Sequence, residues 1–410
     1  MELARDIVIV GAGIAGLTTS LGLHRLGIES LVLESSSNLR ITGFALSTWT
    51  NAWKALDALG VGDYLRTQHE RIDELIATST ASSQPKARVF FKGKAKHGEH
   101  EVRCVRRKLL LEALAQELPH DTIRFSSKVV SIDESDYFKL VYLDDGTMIK
   151  TKVLIGCDGV NSVVAKWLGF KNPAFTGRSA IRAYANFNGK HGYLFKFYQF
   201  FGNGFRSGFF PCDDTSIYWF FTCTEMKLEE DPAKLKQFVL SKLQNAANEH
   251  QRKVVEATEE DSIISSSLRY RHPWELLWGN ISKGNVSVAG DALHPMTPDV
   301  GQGGCAALED GVVLARCLAE ALKKEVTGEN KESDKEEYER IEAGLKKYAA
   351  ERRWRSIELI TTAYFVGFIQ QSNGKLLNFL RDKFLVNFLS GLLLRLSDFD
   401  CGNLKTMSSS

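Results

Sequence analysis

The residues whose types and spacing can do chemistry stand in three glycine-rich stretches. They are Gly11-Ala-Gly13-Ile-Ala15-Gly16, Gly156-Cys-Asp158-Gly159, and the run from Gly290-Asp291 to Gly304, which carries His294, Pro298, Gly301 and Gly303. In the first, Gly11 permits a tight turn, Gly13 leaves no side chain to block a pyrophosphate, and Gly16 lets a helix pack closely on a strand. Glu34 follows 18 residues after Gly16. An acidic side chain there accepts hydrogen bonds from ribose hydroxyls and repels a 2′-phosphate. The chemistry is that of holding a dinucleotide, FAD or NAD rather than NADP, with Gly11, Gly13, Ala15, Gly16 and Glu34 as the candidate contacts.

The elements that must position these residues are legible around them. Asp6 to Val10 is a short β-branched run, 15 to 26 has apolar side chains at helical spacing, and Leu31 to Leu33 is a second buried strand. The glycine loop thus sits between strand and helix of a βαβ unit, where free N–H groups and the helix dipole face an anion. Glycines also mark ordinary turns, and only the register of strand, helix, second strand and Glu34 makes the motif specific. This unit alone leaves FAD and NAD both open.

At 410 residues and 44% hydrophobic composition the chain can bury a large core, which predicts about two domains. Lys and Arg total 52 against 50 acidic residues, without long blocks of either sign, so nothing points to nucleic acid. Seven cysteines without a CxxC pair argue against a disulfide framework and favour a reducing compartment. No metal site is expected. No apolar run reaches the roughly 18 residues of a spanning helix, and the first strand leaves no room for a leader, so the expected location is the cytosol.

Further along, 51 to 59 reads as a helix ending at Gly60, and 105 to 118 as another ended by Pro119. Strands are expected at 72–78, 87–91, 123–125, 128–133, 139–142, 152–155 and 286–289, with an Asp144-Asp-Gly146 hairpin turn. A helix near 233–246 and a long one from Cys305 follow the same patterns, and 323–337 reads as a charged surface connection. Between 177 and 223 the sequence alternates and is rich in aromatics, as in Tyr193–Phe201 and Ile217–Phe221. Such a sheet can present a core on one face and a pocket wall on the other.

With these three stretches in this order, the chain resembles the single-component FAD-dependent aromatic monooxygenases, which include para-hydroxybenzoate, salicylate and urate hydroxylases and zeaxanthin epoxidase. The resemblance covers nearly the whole length. It implies an α/β fold, with a Rossmann-like FAD-binding domain (1–71, 103–176 and 280–355), a β-sheet substrate domain (72–102 and 177–279) and a C-terminal helical region (356–410). It also implies that Asp291 accepts hydrogen bonds from the ribityl hydroxyls, and that Pro298, Gly301, Gly303 and Gly304 bring a helix start to the isoalloxazine ring. As a sequence feature Asp291 has a lesser alternative reading as a helix cap or turn residue. Asp158 and Gly159 would lie near the pyrophosphate, although Asp-Gly is also a common turn. Arg107, opening Arg-x-x-Leu, would reach the FAD phosphates, with Arg106 as the alternative, and Arg40 would be a further flavin contact. His294 would support its loop rather than catalyse.

The implied reaction uses NADH or NADPH as transient electron donor, since the chain has no second complete GxGxxG. Reduced FAD then meets O2, and a flavin C4a-hydroperoxide hydroxylates or epoxidises a small, aromatic or apolar substrate from which water must be excluded. Gly204–Pro211 and Ile217–Phe220 resemble the strands that give urate hydroxylases an Arg and a Tyr beside the substrate, making Arg206 and Tyr218 the candidate catalytic pair. Packing alone would also account for such an aromatic strand. A halogenase would need a Gly-x-Trp-x-Trp motif that is absent. A reductase of isoprenoid double bonds or a flavin-binding sensor without turnover shares the cofactor motifs. The stretch 376–396 could lie on a membrane, packing on the FAD domain being the favoured outcome.

Overall fold

A computed structural model describes residues 2–39, 45–79, 85–91, 93–224, 231–244, 249–323, 333–371 and 386–404, the side chains of 85–87, 95 and 386–390 excepted. Arg40 therefore lies outside the described residues, as do residues 376–385 of the 376–396 stretch.

The first strand, Glu2–Val10, runs at the centre of an eight-stranded sheet. It pairs in parallel with Leu31–Leu33 on one side and Met148–Gly156 on the other, and Met148–Gly156 pairs in parallel with Val286–Val288. Strands buried on both faces need no alternation, and Ile7 to Val10, Val153 to Ile155 and Val286 to Val288 are all buried. This parallel arrangement delivers all three glycine-rich stretches to one edge, because each follows the carboxyl end of a strand. The hairpin strands Val129–Ser135 and Phe138–Leu143 extend the sheet on one side.

Two helices that begin in glycine stretches, Ile14–Arg25 and Gly303–Leu322, cross in contact. A Cβ on Gly311 would collide with the Thr18 side chain and come within 2.8 Å of the Thr19 nitrogen; one on Gly22 would come within 2.7 Å of the Ala315 Cβ. Glycine at both crossing points lets the backbones approach, so the two helix starts converge. Of the charged connection expected at 323–337, residues 324–332 lie outside the described residues, and its last four belong to a 37-residue helix, Asp334–Gln370, opened by a Ser333/Glu336 capping box. Its charged first turn, which reads as solvated, is the acidic start that a helix dipole favours.

The second sheet has seven strands, in the order 264–270, 174–186, 216–223, 205–211, 197–201, 74–79 and 85–90. All pairings are antiparallel except that of Phe197–Phe201 with Glu74–Ser79. Alternation divides the aromatics between faces, as expected. Phe209, Ile217, Trp219 and Phe221 join Leu235, Val239, Val254 and Val255 of the covering helices Pro232–Lys242 and Glu249–Glu256 in one core. Phe197, Phe201, Phe210, Tyr218 and Phe220 face the opposite way, toward the parallel unit. The helix Val386–Leu396 rests Leu392, Leu393 and Leu396 on Val300, Ala306 and Leu359. Among the described residues no helix is long and apolar enough to cross a membrane.

The crossing generates a test. Gly311→Val should overpack the two helices and lower stability by about 1–3 kcal/mol, visible as a drop in melting temperature; an unchanged melt would mean that the crossing can open without cost.

Candidate functional site

One continuous cavity of about 360 Å³ runs from the glycine stretches to the inner face of the seven-stranded sheet. On the parallel side it is lined by Gly13, Ala15, Arg107, Gly159, Asp291, Pro298, Gly301, Gly303 and Gly304. Both converging helices open toward it without a side-chain cap, from Gly13 and Gln302, so their first N–H groups remain available to a ligand. A Cβ on Gly13 or Gly159 would meet nothing within 4 Å, leaving room beside the backbone. Asp291 is exposed where the cavity passes it. An anion-accepting cradle with a carboxylate beside it fits a phosphate-linked, polyhydroxylated group such as FAD.

The remaining candidates have other partners. Gly11 and Gly16 are structural: a Cβ on Gly16 would collide with the Gly11 carbonyl oxygen, and Gly11 holds a φ of 101° that favours glycine. Glu34 ends its strand as expected, and its carboxylate accepts from the Ala12 and Ser36 N–H groups, both at 2.9 Å. Asp158 accepts from the Ser162 hydroxyl and, at 2.7 Å, from the Val163 N–H, so its carboxylate organises the start of the short Val163–Trp167 helix. Burial raises its pKa against these bonds. Arg106 is turned toward the second sheet, donating to Asp213 and to Ser216 Oγ at 2.5 Å, whereas Arg107 lines the cavity.

On the sheet side the strand register sorts the wall into rows. Ala180, Thr222, Arg206 and Phe201 are in register across four strands; Arg182, Phe220, Gly208, Gln199 and Ala77 form the next row; Tyr184, Tyr218 and Phe210 begin the third. Arg206 and Tyr218 both line the cavity, but Tyr218 stands four positions along the strand from Thr222, the cross-strand partner of Arg206. That is roughly 13 Å along the strand. Burial pushes the Tyr218 phenol up to about 12 despite the opposing charge of Arg182. It is a hydrogen-bond donor at neutral pH, not a base.

Arg206 is engaged in a way that its sequence context did not reveal. Its Nη1 lies 3.0 Å from Asp299 Oδ1, both residues buried, and Arg178 Nη1 lies 3.0 Å from Asp299 Oδ2. Gln199, with its carbonyl turned toward the guanidinium, accepts from Arg206 Nη2 at 2.9 Å and also from Nε. Gln371 donates to Asp299 Oδ1 at 3.3 Å. The helix passes this cluster at Gly367, where any Cβ would collide with both Arg178 and Asp299. Asp299, Arg178, Arg182 and Gln199 are the residues that sequence reading missed. The available signal was two arginines four apart on one strand.

Behind the cofactor-side loop, Asp310 accepts from the Gly290 N–H at 2.7 Å, from His294 Nε2 at 2.6 Å and from Arg352 Nε at 2.6 Å. Glu309 beside it pairs with Arg352, Arg355 and Asn51. Burial works against protonation of His294, but Asp310 outweighs it and raises the pKa. Burial would likewise raise Asp310, and His294 with Arg352 instead holds it far below the usual carboxylate range. His294 is completely buried and does not line the cavity, a support for the loop as expected.

Comparison with known proteins places this geometry in context. Residues 4–352 match the family described as FAD binding domain. The chain is 59% identical over 402 residues to Monooxygenase 2 of Arabidopsis thaliana, covering 97% of this chain and 98% of that one. It is 37% identical to Monooxygenase 1 of the same plant, over 97% and 99% of the two chains. Among solved structures it is similar to Klebsiella pneumoniae HpxO complexed with FAD and uric acid, with a TM-score of 0.79, 23% identity and 98% coverage of each chain. At that identity the likeness is one of fold.

The ion pair behind the loop predicts a pH dependence. The folded pKa of His294 is above its unfolded value of about 6.5, so its contribution is fully present below that pH and lost as pH rises through the folded value. His294→Gln should lower unfolding free energy by about 3 kcal/mol near pH 6 and by progressively less toward alkaline pH. Chemical denaturation across that range is the measurement, and a pH-independent difference would exclude a charged imidazole.

Proposed function

This chain belongs to the FAD binding domain family and, with its relatives, to the FAD-dependent monooxygenases; we propose that it uses NADH or NADPH and O2 to insert one oxygen atom into a small, aromatic or apolar ring. The observation that carries this reading is the single cavity joining a dinucleotide cradle to an aromatic wall. Bound FAD supplies acceptance of hydride from the nicotinamide and the activation of O2.

The chain's own residues supply the rest. Gly13 and Gly159 leave room for the pyrophosphate, Arg107 offers it a cation, and Asp291 accepts from the ribityl hydroxyls. The helix start at Gly303 and Gly304 directs N–H groups and a positive dipole end at the ring system. Phe197, Phe201, Phe210 and Phe220 exclude water from the substrate side. Tyr218, held protonated, orients a substrate oxygen by donating a hydrogen bond. Arg206 positions rather than reacts: through Asp299 it ties the sheet to the loop that carries Pro298 and Gly301.

Three outcomes test this reading. Asp291→Ala should sharply reduce FAD content at limiting flavin, whereas full occupancy would remove Asp291 from the cofactor site. Substrates found by stimulated NAD(P)H oxidation among phenolic and other flat-ring candidates should take one atom from labelled O2; product without label, or reduction without O2, would make the protein a reductase. Tyr218→Phe should retain FAD yet lose substrate-stimulated oxidation or divert it to peroxide, and unchanged turnover with full coupling would place the substrate elsewhere on the sheet.

A further inference from the structure

The cavity holds more than one guanidinium, and they differ in what they have left to offer. Each of the three nitrogens of Arg206 already has a protein acceptor: Nη1 donates to Asp299, and Nη2 and Nε donate to Gln199. Its charge is offset by Asp299, which Arg178 also uses. An incoming anion would have to displace Asp299 from a buried pair. Arg182 is in a different state. It lines the same cavity, and its hydrogen bond is to a neutral group, Ser266 Oγ at 2.5 Å. Its Nε is buried without any partner. Among the described residues no carboxylate lies within ion-pair distance of it. A buried donor on an uncompensated cation is costly unless a ligand satisfies it.

Register places Arg182 beside the other groups a flat ring would use. Arg182 is directly opposite Phe220, and Tyr218 is the diagonal neighbour two residues along the same adjacent strand, about 7–8 Å away between Cα atoms and within reach of two long side chains. Phe220 is opposite Gly208, where a Cβ would come within 2.9 Å of the Phe220 ring, so glycine leaves space for that ring to lie across the strand. Phe197 meets Phe220 and Phe210 edge-on, at 6.1 and 4.9 Å between centroids. The result is an aromatic floor with Arg182 at one margin and a phenol donor beside it, one face of Phe220 being covered by the Arg206 guanidinium 5.0 Å from its centroid.

We propose that Arg182 is the substrate-binding residue that selects an anionic ring, pairing with a carboxylate or equivalent anion of an aromatic acid whose ring lies over Phe220, while Arg206 remains bound to Asp299. This rests on the reading of the sheet face as the substrate wall, and it narrows that reading to aromatic acids. The guanidinium edge formed by Nε and by the second hydrogen of Nη2, whose first goes to Ser266, matches a carboxylate. Tyr218 is then left to a second oxygen on the same ring.

The test needs no turnover. The FAD-loaded protein is titrated with benzoate and with its neutral isostere benzamide, following the visible flavin difference spectrum. Wild type should bind benzoate at least about tenfold more tightly than benzamide, the effect of a charge-assisted hydrogen-bonded pair. Arg182→Gln should erase that preference by weakening benzoate alone, with benzamide affinity and FAD content unchanged, and Arg182→Lys should restore part of it. Arg206→Gln should keep the preference even if it lowers the melting temperature. The proposal is overturned if wild type shows no preference or no benzoate-induced spectral change, if Arg182→Gln retains it, or if Arg206→Gln abolishes it. Because the readout is binding, failure of oxygen transfer would sink the monooxygenase reading without touching this one, and the reverse also holds.

Discussion

The Asp310 carboxylate, completely buried, accepts from the Gly290 N–H, from His294 and from Arg352. Those bonds join the end of a parallel strand, the loop that follows it and two long helices. A buried carboxylate is costly to desolvate, and it persists here because two cations and a backbone donor surround it. Glu309 repeats the arrangement one residue away with Arg352, Arg355 and Asn51. Arg355 in turn donates to the Leu396 carbonyl at 2.6 Å, and both arginines lie against the Phe399 ring. The C-terminal segment is thus linked to the brace behind the cofactor cradle. A helix placed for reasons of charge can then keep its glycine start open to a ligand.

A second carboxylate performs the corresponding task across the cavity. Asp299 belongs to the cofactor-side loop, yet its oxygens are taken by Arg206 and Arg178 of the seven-stranded sheet. The 290–304 loop and the inner face of the seven-stranded sheet are therefore coupled through a buried, directional contact rather than through apolar contact alone. The cost of such a pair is offset only with good geometry, and the close passage of Gly367 shows how tightly the helix encloses it.

The sheet meets two demands with one pattern. Period-two alternation sends Phe209, Trp219 and Phe221 to a dry core beneath the covering helices and sends Phe210, Tyr218 and Phe220 to the cavity. Trp219 is secured on its side by a 2.8 Å bond to Thr258 Oγ1, and Gln251 donates to the Gly208 and Phe220 carbonyls. Rigidity of the cavity wall comes from its back, which leaves the front free to present charges.

The glycine-lined side of the cavity was legible in the sequence because its determinants are local. Gly11, Gly13 and Gly16 act within one turn, Glu34 follows on the next strand, and Asp291 is positioned by the strand immediately before it. The division of aromatics between two faces was likewise carried by alternation. The charge pattern of the sheet's inner face was not: Arg206 and Asp299 meet across 93 residues, and Arg178 and Asp299 across 121. Whether Arg206 or Arg182 keeps free donors depends on cross-strand register and on which loop packs above the sheet. Sequence determined which residue types stand in the wall and which face they take; tertiary structure alone decided how their charges pair, because a guanidinium meets whichever carboxylate the folded chain brings to it.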